Sequence, residues 1–115
     1  MNKLYHNPRC SKSRQTLALL EDNNAEFEIV EYLNTPPSKE ELKEVLKKLG
    51  YNSPHDLIRT KEDLYKELDV ASNKDNAEKL IEIMIANPKL IERPVFVTDD
   101  SAAVGRPPES VLDIL

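Results

Sequence analysis

The only cysteine in the sequence, Cys10, stands in the run His6-Asn7-Pro8-Arg9-Cys10-Ser11-Lys12-Ser13-Arg14. A thiol attacks as its thiolate, which is favoured by nearby positive charge and by the unpaired N–H groups at a helix N-terminus. The spacing places Cys10 among both. Asn7-Pro8 ends a short strand that starts at Lys3, and a helical pattern begins near Ser11. Arg9, Lys12 and Arg14 surround the cysteine, His6 lies four residues before it, and the first acidic residue is Glu21. A helix N-terminus also binds anions, so the chemistry suggested is nucleophilic attack by Cys10 on an oxyanion. The competing reading, a small buried core cysteine, is disfavoured by this position and local charge. A protonated His6, or the neighbouring bases, would stabilise the thiolate. Lys12 reads as a solvated helix lysine with no catalytic role.

Three arginines further along suit the same chemistry. Arg59 follows Leu57-Ile58, Arg93 precedes Pro94, and Arg106 precedes Pro107. The two Arg-Pro steps flank a predicted hairpin, so both guanidinium groups can emerge near one edge of a sheet. A guanidinium is a planar fork suited to tetrahedral oxyanions. Surface salt bridges are the ordinary alternative for each of them.

These residues have to be carried by a small α/β framework. Lys3–His6 reads as a strand, 11–22 as a helix with Leu17 and Leu20 inward, and Phe27–Leu33 as a second strand. Ser38 with Glu41 forms a capping box, Leu42, Val45, Leu46 and Leu49 give a helical stripe, and Gly50 closes it. Ser53-Pro54 starts a helix, a short one lies near 62–68, and 75–86 forms a longer one with Ala77, Leu80, Ile81, Met84 and Ile85 inward. Pro94–Thr98 and Ala102–Gly105 read as paired strands across Asp99-Asp100-Ser101. A last helix opens at Pro107-Pro108, with Val111, Leu112 and Leu115 on one face. The order βαβ, then helices, then ββα predicts a four-stranded mixed sheet, with a helical insert at about 38–90 in a single domain over 1–115.

Composition agrees with such a domain. The chain has 115 residues, 39% hydrophobic and 32% charged, with two glycines and no tryptophan, which excludes a low-complexity chain. The net charge of −5 gives no bulk basis for nucleic-acid binding, although the first twenty residues hold four bases and no acid. The absence of a bilayer-length apolar run, of a signal-peptide pattern and of a second cysteine leads to an expected location in the reducing cytoplasm.

The segment Tyr5–Arg14 closely resembles the active-site loop of glutaredoxin-coupled arsenate reductases. The resemblance extends through Leu57-Ile58-Arg59, Tyr65-Lys66-Glu67-Leu68, Asn87-Pro88-Lys89-Leu90-Ile91-Glu92-Arg93-Pro94 and Gly105-Arg106-Pro107-Pro108-Glu109. It implies a thioredoxin-like fold with a helical insert, related to the Spx-type proteins. It implies Cys10 as nucleophile, His6 as the residue that tunes it, and Arg59, Arg93 and Arg106 as anion-binding residues. Ser13 and Arg14 match positions that shape the thiolate pocket, and Pro94 matches a cis-proline. The implied activity is reduction of arsenate to arsenite through a Cys10 thiol-arsenate intermediate. Glutathione would be the co-substrate and glutaredoxin the protein partner, with no bound cofactor or metal, in a monomer that contacts neither membrane nor nucleic acid. The bulkier, more basic Arg9 and Lys12 and the end at Leu115 point to a shorter branch of that family. Alternatives are an Spx-type redox regulator that contacts RNA polymerase, whose usual Cys-x-x-Cys switch here has Ser13 at its second position, a glutaredoxin-like thiol transferase, and a non-catalytic anion-binding module.

Overall fold

The computed structural model describes residues 2–115. The chain folds as two compact units: residues up to Thr35 together with Arg93–Leu115, and Pro36–Glu92.

The first unit is built on strands β1 (Lys3–Tyr5), β2 (Glu28–Val30), β3 (Val95–Val97) and β4 (Ala102–Val104) in the order β2-β1-β3-β4. Helix α1 (Ser11–Asp22) is the crossover between β1 and β2, which pair in parallel with Leu4 opposite Ile29. β3 runs antiparallel to β1, with Tyr5 opposite Val95, and antiparallel to β4, with Val95 opposite Val104. This is the predicted mixed sheet. Its centre is apolar: Leu4, Leu20, Phe96 and Val111 are fully buried, and Phe27 meets Phe96 edge to face at 5.9 Å. Each such side chain contributes about 1.5–3 kcal/mol when withdrawn from water.

Several local expectations change. β2 is shorter than 27–33 because the ladder ends where His6 N–H reaches the Val30 carbonyl (2.9 Å), after which the Asn34 and Thr35 amides both turn back to the Glu31 carbonyl. The last helix is a 3-10 helix, Pro108–Ile114. Its three-residue period aligns Pro108, Val111 and Ile114 toward the core and leaves Leu115 55% exposed, so Leu115 is not on the inner face. The Arg93–Pro94 bond is cis, as the resemblance implied, and so is Arg106–Pro107.

The second unit is helical. In α2 (Lys39–Leu49) the Ser38 hydroxyl accepts the Glu41 N–H and the Glu41 carboxylate accepts the Ser38 N–H, while Gly50 ends the helix at φ 75°. Next come a 3-10 turn Pro54–Leu57, α3 (Asp63–Glu67), a second 3-10 turn Val70–Asn73 and α4 (Ala77–Ala86). Leu42, Val45, Leu46, Leu80, Ile81 and Met84 are buried on α2 and α4. Ala77 is exposed, because Asn76 caps α4 later than expected and the first turn faces water, and Ile85 in the last turn is half-buried. An antiparallel bridge pairs Ile58, near the middle of this unit, with Ile91 at its C-terminal end, with Arg59 N–H on the Leu90 carbonyl at 2.7 Å. No helix among the described residues is long and apolar enough to cross a membrane.

Candidate active site

Cys10 is the N-cap of α1, with extended backbone angles (φ −96°, ψ 124°). The loop before it is shaped by Asn7 and Ser13. Asn7 Oδ1 accepts the Arg9 N–H (3.0 Å), the Cys10 N–H donates to the Asn7 carbonyl (3.0 Å), and the Asn7 N–H donates to Ser13 Oγ (3.0 Å). An asparagine that closes a turn on its own backbone is a recurrent device where a strand leaves a sheet. Ser13 sits one helical turn into α1, fully buried, and binds His6 Nδ1 at 2.7 Å.

Register brings the arginines to the same end of the sheet. Tyr5, at the end of β1, is opposite Val95, and Val95 is opposite Val104. Arg93 and Arg106 each lie two residues beyond the hairpin ladder, beside the loop that follows β1. Arg106 Nη2 donates to Cys10 Sγ at 3.6 Å, and Arg106 Nε donates to the Arg93 carbonyl at 2.8 Å. The backbone of one arginine thus orients the side chain of the other. Gly105 permits this approach. A Cβ there would collide with Thr16 Oγ1 and lie 2.8 Å from Pro94 Cγ.

Burial alone would push the Cys10 thiol up, but it is outweighed. The Ser13 amide, the hydrogen bond and charge of Arg93, and the Lys12 amide hold the thiol below its ordinary range. Cys10 forms no closed capping bond of the serine type, so the two amides act on sulfur as fixed dipoles at the helix terminus. A half-buried thiolate beside a fork of N–H donors can attack an oxyanion held in that fork.

The His6 side chain lies against Ser13 Oγ. Its ring is buried, and burial pushes its pKa down against a smaller upward pull from Glu31, with the Arg14 charge adding to the lowering. The imidazole is therefore neutral near pH 7. Ser13 Oγ accepts the Asn7 N–H and is also hydrogen-bonded to His6 Nδ1. His6 positions Ser13 and, through it, the loop. Arg14 Nη1 donates to the Pro8 carbonyl at 3.0 Å and ties the loop from its exposed side. Arg59 belongs to the second unit, where its Nη2 lies 3.5 Å from Glu62 Oε1 and its Nη1 is buried without a hydrogen-bond partner.

Residue type and spacing do not single out Asn7, Thr16 or Gly105. Thr16 is buried on α1 and returns a hydrogen bond to the Lys12 carbonyl at 2.8 Å. The one signal in the sequence is the Ser13/Thr16/Leu20 spacing, which gives α1 an inner stripe that is polar where it meets the site. Among the described residues no group of three or more His, Cys, Asp or Glu side chains is placed to hold a metal ion.

The model of the ArsC family matches residues 5–114. The chain is 55% identical to "Uncharacterized protein YfgD" of Escherichia coli (strain K12), over 98% of this chain and 95% of that protein. It is 44% identical to an arsenate reductase of Neisseria meningitidis (serogroup B, strain MC58), over 98% and 97% of the two chains. Among solved structures, an arsenate reductase from Vibrio cholerae superposes with a TM-score of 0.94 at 48% identity, covering 99% of this chain and 97% of that one.

Proposed function

The chain belongs to the ArsC family, and from that premise we propose that it is an arsenate reductase with Cys10 as nucleophile. The observation that carries the reading is the Arg106 guanidinium 3.6 Å from Cys10 Sγ, anchored through Nε on Arg93. Arsenate carries negative charge near neutral pH, so an anionic thiolate reaches it only where cations offset the repulsion. Arg93, Arg106 and the α1 terminus supply them. Cys10 sulfur attacks arsenic, an arsenate oxygen leaves as water after protonation, and an S–As bond joins protein and substrate.

Reduction from As(V) to As(III) takes two electrons, and with one cysteine in the chain the electrons come from external thiols. Glutathione sulfur attacks arsenic in the Cys10 adduct and displaces a second oxygen as water, giving a Cys10–S–As–S–glutathione species. A glutaredoxin thiolate then attacks the glutathione sulfur, forming a glutaredoxin–glutathione disulfide and leaving the As–S electron pair on arsenic, now As(III). Water cleaves the remaining Cys10 S–As bond, releasing arsenite and restoring the Cys10 thiol. Ser13, His6 and Arg14 position the loop. Arg59 enters as an oxyanion ligand on the resemblance alone, and Arg59→Ala is expected to raise the KM for arsenate. The protein works as a monomer in the cytoplasm, whose reducing poise keeps a lone thiol available.

NADPH oxidation coupled through glutathione reductase, glutathione and glutaredoxin tests this reading. Arsenate-dependent turnover that stops when either glutathione or glutaredoxin is omitted is the expected result. Absence of arsenate-dependent turnover in the complete mixture overturns it.

A further inference from the structure

On the β2 side of the Cys10 loop, away from Arg93 and Arg106, lies a cavity of about 280 Å³ walled by His6, Asn7, Arg9, Glu31, Leu33 and Asn34. We propose that this cavity docks the γ-glutamyl end of glutathione, the Glu31 carboxylate receiving its α-ammonium and the Arg9 guanidinium its α-carboxylate. This rests on the reading above that glutathione is the co-substrate.

Three observations support it. First, the wall carries one acid and one base, and among the described residues neither Arg9 nor Glu31 forms an ion pair. Oppositely charged side chains left unpaired around one cavity suit a ligand that bears both charges on one carbon. A bare anion such as arsenate meets repulsion from Glu31, and a bare cation meets repulsion from Arg9. Second, Leu33 is 40% exposed at the rim and Asn34 offers an amide donor and acceptor, which suits the short methylene chain and peptide group that follow an α-amino-acid head. The volume lies just under the roughly 300 Å³ at which small-molecule pockets begin, so it fits one end of a tripeptide rather than the whole. Third, the wall ends at Arg9, the residue before Cys10. Consecutive residues are spaced about 3.8 Å apart along the backbone and an extended tripeptide spans about 10 Å, so a head group held there leaves its thiol within reach of Cys10. Glutathione then approaches from the β2 side while the oxyanion occupies the arginine side.

The test uses the full chain and S-methylglutathione, which binds without reacting, with no arsenate present. Titration followed by ¹⁵N NMR is expected to shift the Arg9, Glu31, Leu33 and Asn34 amides. Arg9→Ala and Glu31→Gln are each expected to weaken binding about two- to fivefold, the range of a partly exposed ion pair. The S-methylated glutaryl analogue, which lacks the α-ammonium, should bind the native chain more weakly than S-methylglutathione, whereas Glu31→Gln should not distinguish the two. The same spectra report whether each variant is folded. No binding, shifts confined to Arg93 and Arg106, or a Glu31→Gln variant that still discriminates the two ligands overturns the proposal. Because arsenate is absent, this outcome is separate from success or failure of the coupled reductase assay.

Discussion

Replacing Arg106 by alanine removes the guanidinium that lies 3.6 Å from Cys10 Sγ. At that separation two unit charges attract by about 1.2 kcal/mol in bulk water and about 4.6 kcal/mol at an effective dielectric of 20. Arg106 is exposed, so screening holds the interaction near the lower figure, about 1–1.5 kcal/mol. Arg106→Ala should therefore raise the Cys10 pKa. The lowering by the Ser13 and Lys12 amides and by Arg93 remains in that variant. Arg106→Lys keeps a charge but loses the Nε anchor on the Arg93 carbonyl, and should recover only part of the shift. The assay is the rate of iodoacetamide alkylation against pH. The native midpoint should fall below about 8.5, the ordinary thiol value. It should rise in 1 M salt, where the screening length is about 3 Å. A native midpoint at or above 8.5, or an Arg106→Ala midpoint that does not move in a folded variant, refutes the electrostatic account of Cys10.

Other perturbations read other parts of the same site. A depressed Cys10 pKa contributes stability that is fully present above the unfolded thiol value and is lost as pH falls through the folded value. Denaturant titrations should therefore show the native chain gaining stability relative to Cys10→Ser as pH rises through that window. Ser13→Ala leaves the His6 ring and the Asn7 N–H without their shared buried partner, and should cost about 1–3 kcal/mol in urea unfolding. Gly105→Ala forces a methyl group against Thr16 and Pro94, with an expected cost of about 1–3 kcal/mol and a loss of turnover larger than the loss of stability explains.

Elements governed by local chemistry are legible in the residues themselves. α1 spans the expected 11–22, and the Ser38/Glu41 box and Gly50 bound α2 because caps act within a few residues of themselves. The positions of the four strands are legible too, but their lengths are not. Each is three residues long, and β2 ends where the backbone of Glu31 captures two turn amides, a competition that side-chain alternation does not encode. The C-terminal helix misleads for a similar reason: an apolar pattern at 111, 112 and 115 suits an α-helix, whereas a three-residue period buries 108 and 111. At the site, Cys10 and its helix terminus follow from residue type and position. That Arg93 and Arg106 emerge together is legible in the two Arg-Pro steps flanking the hairpin; the contacts of Arg106 with Cys10 Sγ and the Arg93 carbonyl follow only once strand register is known. The neutral state of His6 depends on burial, which a sequence does not display.

Arsenate turnover by Cys10→Ser beside the native chain, in the complete glutathione and glutaredoxin assay, addresses the central claim most directly. The hydroxyl that replaces the thiol cannot form the S–As bond or return to a thiol on reduction. The account predicts sustained turnover by the native chain and none above background by the variant. Substantial arsenate reduction by folded Cys10→Ser would contradict it.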